Sequence, residues 1–201
     1  MQLIKTLFRD GIHGIEHAYR VLMLVQKIAE LEQLDKATRE VLEFCAVFHD
    51  IGRTNDNIDD LHGAKSIIKL KRINFLNLKR FNNDLIKYII ENHCISDNKA
   101  HQNASNYNIN DHQKAVYLLD LFKDADNLDR VRFNDLNTNF LRFENSYTLV
   151  SYAKSLCNSN FSLENIEKQF KKSYPLLGMM YQYVLFISFV KNQFVRSKLP
   201  L

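Results

Sequence analysis

The sequence predicts an all-α fold in one domain, residues 1–201, and three observations carry that prediction. Gly and Pro are scarce, five and two in 201 residues, whereas a β-sandwich or a doubly wound sheet needs many more turn residues. Apolar residues recur at helical spacing in one segment after another, and no run alternates as a half-buried strand would. The composition is globular, with 46% hydrophobic and 25% charged residues. That excludes a disordered tail, a collagenous repeat and a multi-span membrane protein. A chain of this length can fold without the help of a metal or a disulfide.

The elements follow in order. From Ile15 to Leu31 the positions His17, Val21, Leu24, Ile28 and Leu31 fall on one helical face. Asp35 is placed to cap a second helix, which runs through Val41, Leu42 and Cys45 to His49 and stops at Ile51-Gly52. A third amphipathic stretch begins near His62 and runs towards Phe81, with Ile67, Ile68, Leu70 and Phe75 as its core side. The fourth, Asn83–Asn92, ends beside His93. Residues 92–110 hold six Asn and almost no large apolar groups, and are expected to form a long surface loop. Helices resume from about Asp111 to Arg130, around Ser146–Leu156, over Leu163–Lys172 and over Pro175–Phe194.

Charge and special segments narrow the function classes. A net charge of +4 suits small anionic substrates without demanding nucleic acid. Six bases lie between Leu61 and Asn83 with no acid among them, which reads as a solvated helix face. No groove-reading motif accompanies them, so a nucleic-acid partner is not favoured. Cys45, Cys94 and Cys157 form an odd set without a CxxC, which points to a reducing, cytoplasmic setting. The run Tyr174–Val190 carries no charge, but at about 1.5 Å per residue it spans roughly 25 Å, short of a ~30 Å hydrocarbon core. We expect a core or homodimer helix there, and no membrane span.

The chemistry concentrates in FCAVFHDIGR. Leu42, Cys45 and His49 share a helical face, so His49 points where the apolar side chains point, and Asp50 follows at once. A carboxylate at the end of such a run is costly to bury unless it is paired or bound to a cation. His17 lies in line with Val21, Leu24 and Ile28, so it too faces the core. In KDADNLDRVR, Asp129 shares a face with Leu118, Phe122 and Ala125, while Asp124 and Asp126 flank that face on opposite sides. Periodicity requires at least one of the three to point inward, and it does not choose among them.

HGIEHAYRV, then HD with IGR, then NDNIDDLHG, ENH and DADNLDRVR give the order H…HD…H…H…D over residues 13–132. In this the chain resembles the HD-domain metal-dependent phosphohydrolases. The resemblance implies an HD-like helical bundle over about residues 10–135, with extra C-terminal helices over about 145–199. It implies that His17, His49, Asp50 and Asp126 ligate a divalent metal, Asp126 being the Asp of the family's A-D-x-L pattern. It also implies that His62 and His93 line the site, as proton donors or as ligands of a second ion. The fullest two-metal pattern has a second His where this chain has Cys94.

The function expected is hydrolysis of a small phosphate ester, a nucleotide being one candidate, by metal-activated water. Mixed imidazole and carboxylate ligands favour Mn, Fe, Co, Ni or Zn over Mg. Arg53, one turn past the HD pair, is placed to neutralise phosphate charge. His13, Lys123 and Arg130 are expected to contact substrate, and Asp56, Asp59 and Asp129 to brace the site from behind. The rival reading is a non-catalytic HD-type bundle that keeps a metal and binds a nucleotide or protein partner.

Overall fold

The computed structural model describes residues 7–72, 83–159, 161–162, 164–166 and 168. The chain divides into two compact units, Phe8–Asn160 and a second that joins Met1–Leu7 with Phe161–Leu201. The architecture below is that of the first. Every regular element among the described residues is helical, as the scarcity of turn residues requires.

Helix α1 spans Ile15–Leu31 and buries His17, Val21, Leu24 and Ile28; only Leu31, at its end, departs from the stripe and is 41% exposed. Helix α2 spans Lys36–Phe48 and opens at Asp35, whose carboxylate accepts the Thr38 N–H at 2.9 Å. Such a cap satisfies one of the N–H groups that a helix start leaves without a partner, worth about 1 kcal/mol. Helices α3 (His62–Arg72) and α4 (Asn83–Asn92) follow. Ile67 and Leu70 of α3 are buried, but Ile68 lies on its outer face and is 49% exposed.

Two expectations need correction. Residues 92–110 are not one surface loop: they contain α5 (Asp97–Gln102) and a 3-10 turn, Asn103–Asn106. Small residues make this possible, because Ala100 and Ala104 are buried while the polar amides bond to one another and to α4. Asn103 Nδ2 donates to Asn92 Oδ1 (2.8 Å), and the Tyr88 hydroxyl donates to the Ala100 carbonyl (3.1 Å). Further on, Ser146–Leu156 is two helices, α7 (Glu144–Thr148) and α8 (Val150–Cys157), separated at Leu149. Between them and α5 lies α6 (His112–Leu128), capped by Asp111 and continued by a 3-10 turn over Asp129–Phe133. The expected helices beyond Arg72 towards Phe81, over Pro175–Phe194 and over most of Leu163–Lys172 lie outside the described residues.

Helix α1 packs on α2 and α6, and α4 packs on α2, α3 and α6. Leu22, Leu42, Ile86, Ile89, Leu118 and Phe122 at these contacts are almost wholly buried, each worth roughly 1.5–3 kcal/mol. Two glycines let α3 approach closely. A Cβ on Gly63 would collide with the Ile90 carbonyl of α4, and one on Gly52 would collide with the backbone at Lys65–Ser66. Ser66 then ties the ends together, accepting the Gly52 N–H at 2.8 Å and lying within hydrogen-bond reach of the His49 carbonyl. The ends of α2 and α4 and the start of α3 are thereby drawn to one point. No helix among the described residues is long and apolar enough to cross a membrane.

Candidate functional site

That point is where the histidines meet. His17 comes from the first turn of α1, His49 and Asp50 from the end of α2, His62 from the start of α3 and His93 from just past α4. Asp126 joins them from the last turn of α6. All are buried except Asp126, which is 31% exposed on its side chain.

Each imidazole is fixed from behind through Nδ1. His49 donates to the Ala46 carbonyl (3.0 Å), His93 to the Ile90 carbonyl (2.7 Å), and His62 to the Asp59 carbonyl. His17 donates to the Asp129 carboxylate at 2.7 Å. Carbonyls and carboxylates can only accept, so the proton of each neutral ring sits on Nδ1 and the Nε2 lone pair faces inward.

The inward atoms fall into two sets that share Asp50. His17 and His49 Nε2 are 3.1 Å apart. Asp50 Oδ2 lies 3.5 and 3.6 Å from them, and Asp126 Oδ1 lies 3.3 and 3.5 Å from them. On the other side His62 and His93 Nε2 are 2.8 Å apart, with Asp50 Oδ1 at 2.9 and 3.6 Å. Lone pairs and carboxylate oxygens at such distances repel unless a proton or a cation lies among them. Ligands about 2.1 Å from one ion stand about 3.0 Å apart in an octahedron and about 3.4 Å apart in a tetrahedron. The donor set therefore fits a dication without rearrangement. Cys94 stands close to the second set, its sulfur within 4.8 Å of the ligand atoms of His62 and His93.

Electrostatics agree with the geometry. Burial opposes ionisation of Asp50 and Asp126, yet the surrounding histidines hold both carboxyls well below the usual range. Burial pulls His17 down, but its bonds to Asp126 and Asp50 outweigh that and raise it. His93 is lowered to about 4, first by burial and then by His49 and His62, which keeps its Nε2 free of a proton. Burial also lowers His13, against the Asp56 bond.

The other sequence-derived candidates surround this centre. An open cleft of about 540 Å³ rises from it, lined among others by His13, Arg53, Lys123 and Arg130. Arg53 donates through Nε to Asp50 Oδ1 (3.1 Å) and through Nη1 to the Asn57 carbonyl (3.2 Å). Asp56 pairs with His13 (3.0 Å) and Arg9 (2.6 Å), while the Asp59 carboxylate pairs with Lys65 (2.7 Å). Asp59 thus supports His62 through its carbonyl rather than its carboxylate. Lys123 is held by the Ile95 carbonyl and Asp97, and the exposed Arg130 pairs with Asp135. Asp124 is apart from the centre: fully buried, it accepts from the Arg142 N–H (2.9 Å), Arg142 Nη1 (2.8 Å) and the Phe143 N–H (3.1 Å).

Arg20, Arg142 and Asp97 escaped the sequence reading. Arg20 Nε donates to Asp129 Oδ1 at 2.5 Å, beside Arg132, whose Nη1 bonds Asp129 Oδ2. Asp129 is thereby clamped while it holds His17. Arg20 stands three residues after His17 on the same apolar face, and a cation there requires a buried acid; that signal was present in the sequence. Arg142 and Asp97 carried none, since their pairing joins positions 45 residues apart.

Imidazoles and carboxylates on the floor of a cleft with arginine and lysine on its walls have the chemistry of a hydrolase acting on phosphate ester bonds. The comparison with protein families agrees and gives the family: the model of the SidE phosphodiesterase (PDE) domain matches residues 5–172. The chain belongs to that family. Neither the curated proteins nor the solved structures gave a match.

Proposed function

We propose that the protein is a dication-dependent phosphodiesterase whose centre is of the HD-domain type that its sequence resembles. One observation carries the reading: four Nε2 lone pairs and two carboxylates converge at 2.8–3.6 Å with every Nδ1 already spent. His17, His49, Asp50 and Asp126 would hold the ion, and Asp129 and the three backbone carbonyls keep the rings turned towards it. When bound, such an ion supplies a Lewis acid that polarises a phosphoryl oxygen and acidifies water. Imidazole with carboxylate favours Mn, Fe, Co, Ni or Zn over Mg.

The chain's own groups do the rest. Arg53 neutralises phosphate charge beside Asp50, and Lys123 and Arg130 contact the substrate further up the cleft. His62 and His93 face the second oxygen of Asp50. They admit a second ion there, or take a proton from the attacking water at Nε2 and hand it to the departing oxygen. The cleft volume lies in the range of small-ligand sites, so the substrate is a small phosphodiester, with nucleotides the first class to try.

The test combines metal content with turnover. Elemental analysis of purified protein should find one or two equivalents of a transition metal. A panel of phosphodiesters, phosphomonoesters and nucleotides should show diester hydrolysis that chelator removes and added metal restores. Undiminished turnover after metal stripping would refute the metal; bound metal with no turnover on any ester would favour the non-catalytic bundle.

A further inference from the structure

Cys94 stands beside the second ligand set, in the turn that follows α4 and directly after His93. Its sulfur and one nitrogen each from His62 and His93 all lie within 4.8 Å of one another. Both Nδ1 atoms are spent on backbone carbonyls, so the nitrogens left to bind an ion are the Nε2 pair, 2.8 Å apart. Gly63 brings the three together. A Cβ there would strike the Ile90 carbonyl, the same carbonyl that holds His93 Nδ1. A sulfur about 2.3 Å and a nitrogen about 2.1 Å from one ion stand about 3.6 Å apart in a tetrahedron. Against the 4.8 Å limit, Cys94 Sγ therefore has at most about 1.2 Å to close. Its present partner is the Asp60 carbonyl at 3.2 Å, held only by a weak S–H donor. Cys94 is half-buried and lines the cleft, and beyond Cβ its side chain is sulfur alone.

We infer that Cys94 is a thiolate ligand of a second ion, held together with His62 and His93 beside Asp50 Oδ1. This rests on the proposed metal-dependent reading and deepens it: of the two roles open to His62 and His93, it selects the second ion. The S–H proton passes to water as the sulfur–metal bond forms, and the Asp60 carbonyl is released. Sulfur in place of a third nitrogen makes this side of the centre selective. A soft thiolate favours Zn over the harder Mn and Mg. The two oxygens of Asp50 thus face ions of different softness.

The test loads the metal-stripped, full-length protein with Co²⁺, which stands in for Zn²⁺ and reports its ligands by absorption. A thiolate on Co²⁺ gives a charge-transfer band in the near ultraviolet, which imidazole and carboxylate do not. Wild type should bind two equivalents and develop the band with one of them. Cys94→Ser should lose the band, keep one equivalent and bind the other at least about tenfold more weakly. Cys94→His, which supplies a nitrogen instead, should hold both equivalents without the band and take Mn²⁺ more readily. Cys157→Ser should leave the spectrum unchanged. A band that survives Cys94→Ser, or is lost in Cys157→Ser, overturns the assignment. Two equivalents bound by wild type without the band overturn it as well. A single equivalent also overturns it, but leaves the reading of the first ion standing. Wild type that holds no metal brings down the whole centre.

Discussion

Asp129→Asn tests the support beneath the centre. The substitution keeps volume but removes the charge that holds buried Arg20 (8% exposed) and turns His17. Asp129 accepts from Arg20 Nε at 2.5 Å, Arg20 Nη2 at 3.2 Å and His17 Nδ1 at 2.7 Å, and also from Arg132. An amide in its place must turn its NH₂ towards at least one of these donors. Removing one partner of a buried ion pair costs about 3–5 kcal/mol. For a unit of this size each kcal/mol moves Tm by about 2–4 °C. The expected fall is therefore roughly 6–20 °C, measured by circular dichroism in chelator so that no ion contributes. A second arm measures metal affinity by competition, where loss of a ligand's orienting partner should cost about ten- to a hundredfold. Adding Arg20→Met to Asp129→Asn should recover part of the stability, because the orphaned cation is gone. A Tm within about 2 °C of wild type would refute the clamp. A lowered Tm with unchanged metal affinity would show that His17 is not oriented through Asp129.

Three further outcomes follow from the same geometry. Asp126→Asn should lose metal and activity while staying folded; Asp124→Asn should keep the metal but lower Tm, since it weakens the buried acceptor of Arg142 and Phe143, and elemental analysis with melting curves would reveal a reversal. Arg53→Ala should retain metal yet slow diester hydrolysis by about ten- to a thousandfold, with equal turnover reducing it to a partner of Asp50. Asp97 is lowered to about 2 by its bonds to Arg142 and Lys123, which overcome burial. A depressed carboxyl contributes stability that is fully present above its unfolded pKa of about 3.9 and is lost as pH falls through the folded value. Asp97→Asn should thus flatten the fall in Tm between about pH 5 and pH 2, and an unaltered acid limb would contradict that pairing.

The sequence by itself determined the helices and the identity of the groups they bring. Short-range spacing is enough for that: His17 sits on the stripe of Val21, Leu24 and Ile28, Asp35 caps α2, and Asn83–Asn92 keeps its predicted bounds. Helical period requires no knowledge of what lies opposite. In the Asn-rich stretch composition does not fix conformation, because Ala100 and Ala104 fit against the core and allow a helix there.

The helical pattern could not say which acid meets what; the resemblance pointed to Asp126, and the tertiary structure shows the partners of each. Asp124 and Asp126 flank the apolar stripe of α6 symmetrically, and α6 is packed on more than one side, against α1, α2 and α4. Both flanks therefore face other parts of the chain, and a helical wheel cannot separate them. What separates them is what each meets across the chain: Asp126 meets His17 and His49, and Asp124 meets Arg142. Asp129 finds Arg20 and His17 at separations of 109 and 112 residues. Charged groups are paired by proximity in space, and a one-dimensional pattern carries distance only along the chain. The two glycines that let α3 approach, Gly52 and Gly63, likewise acquire their meaning only from the backbone that a Cβ would strike.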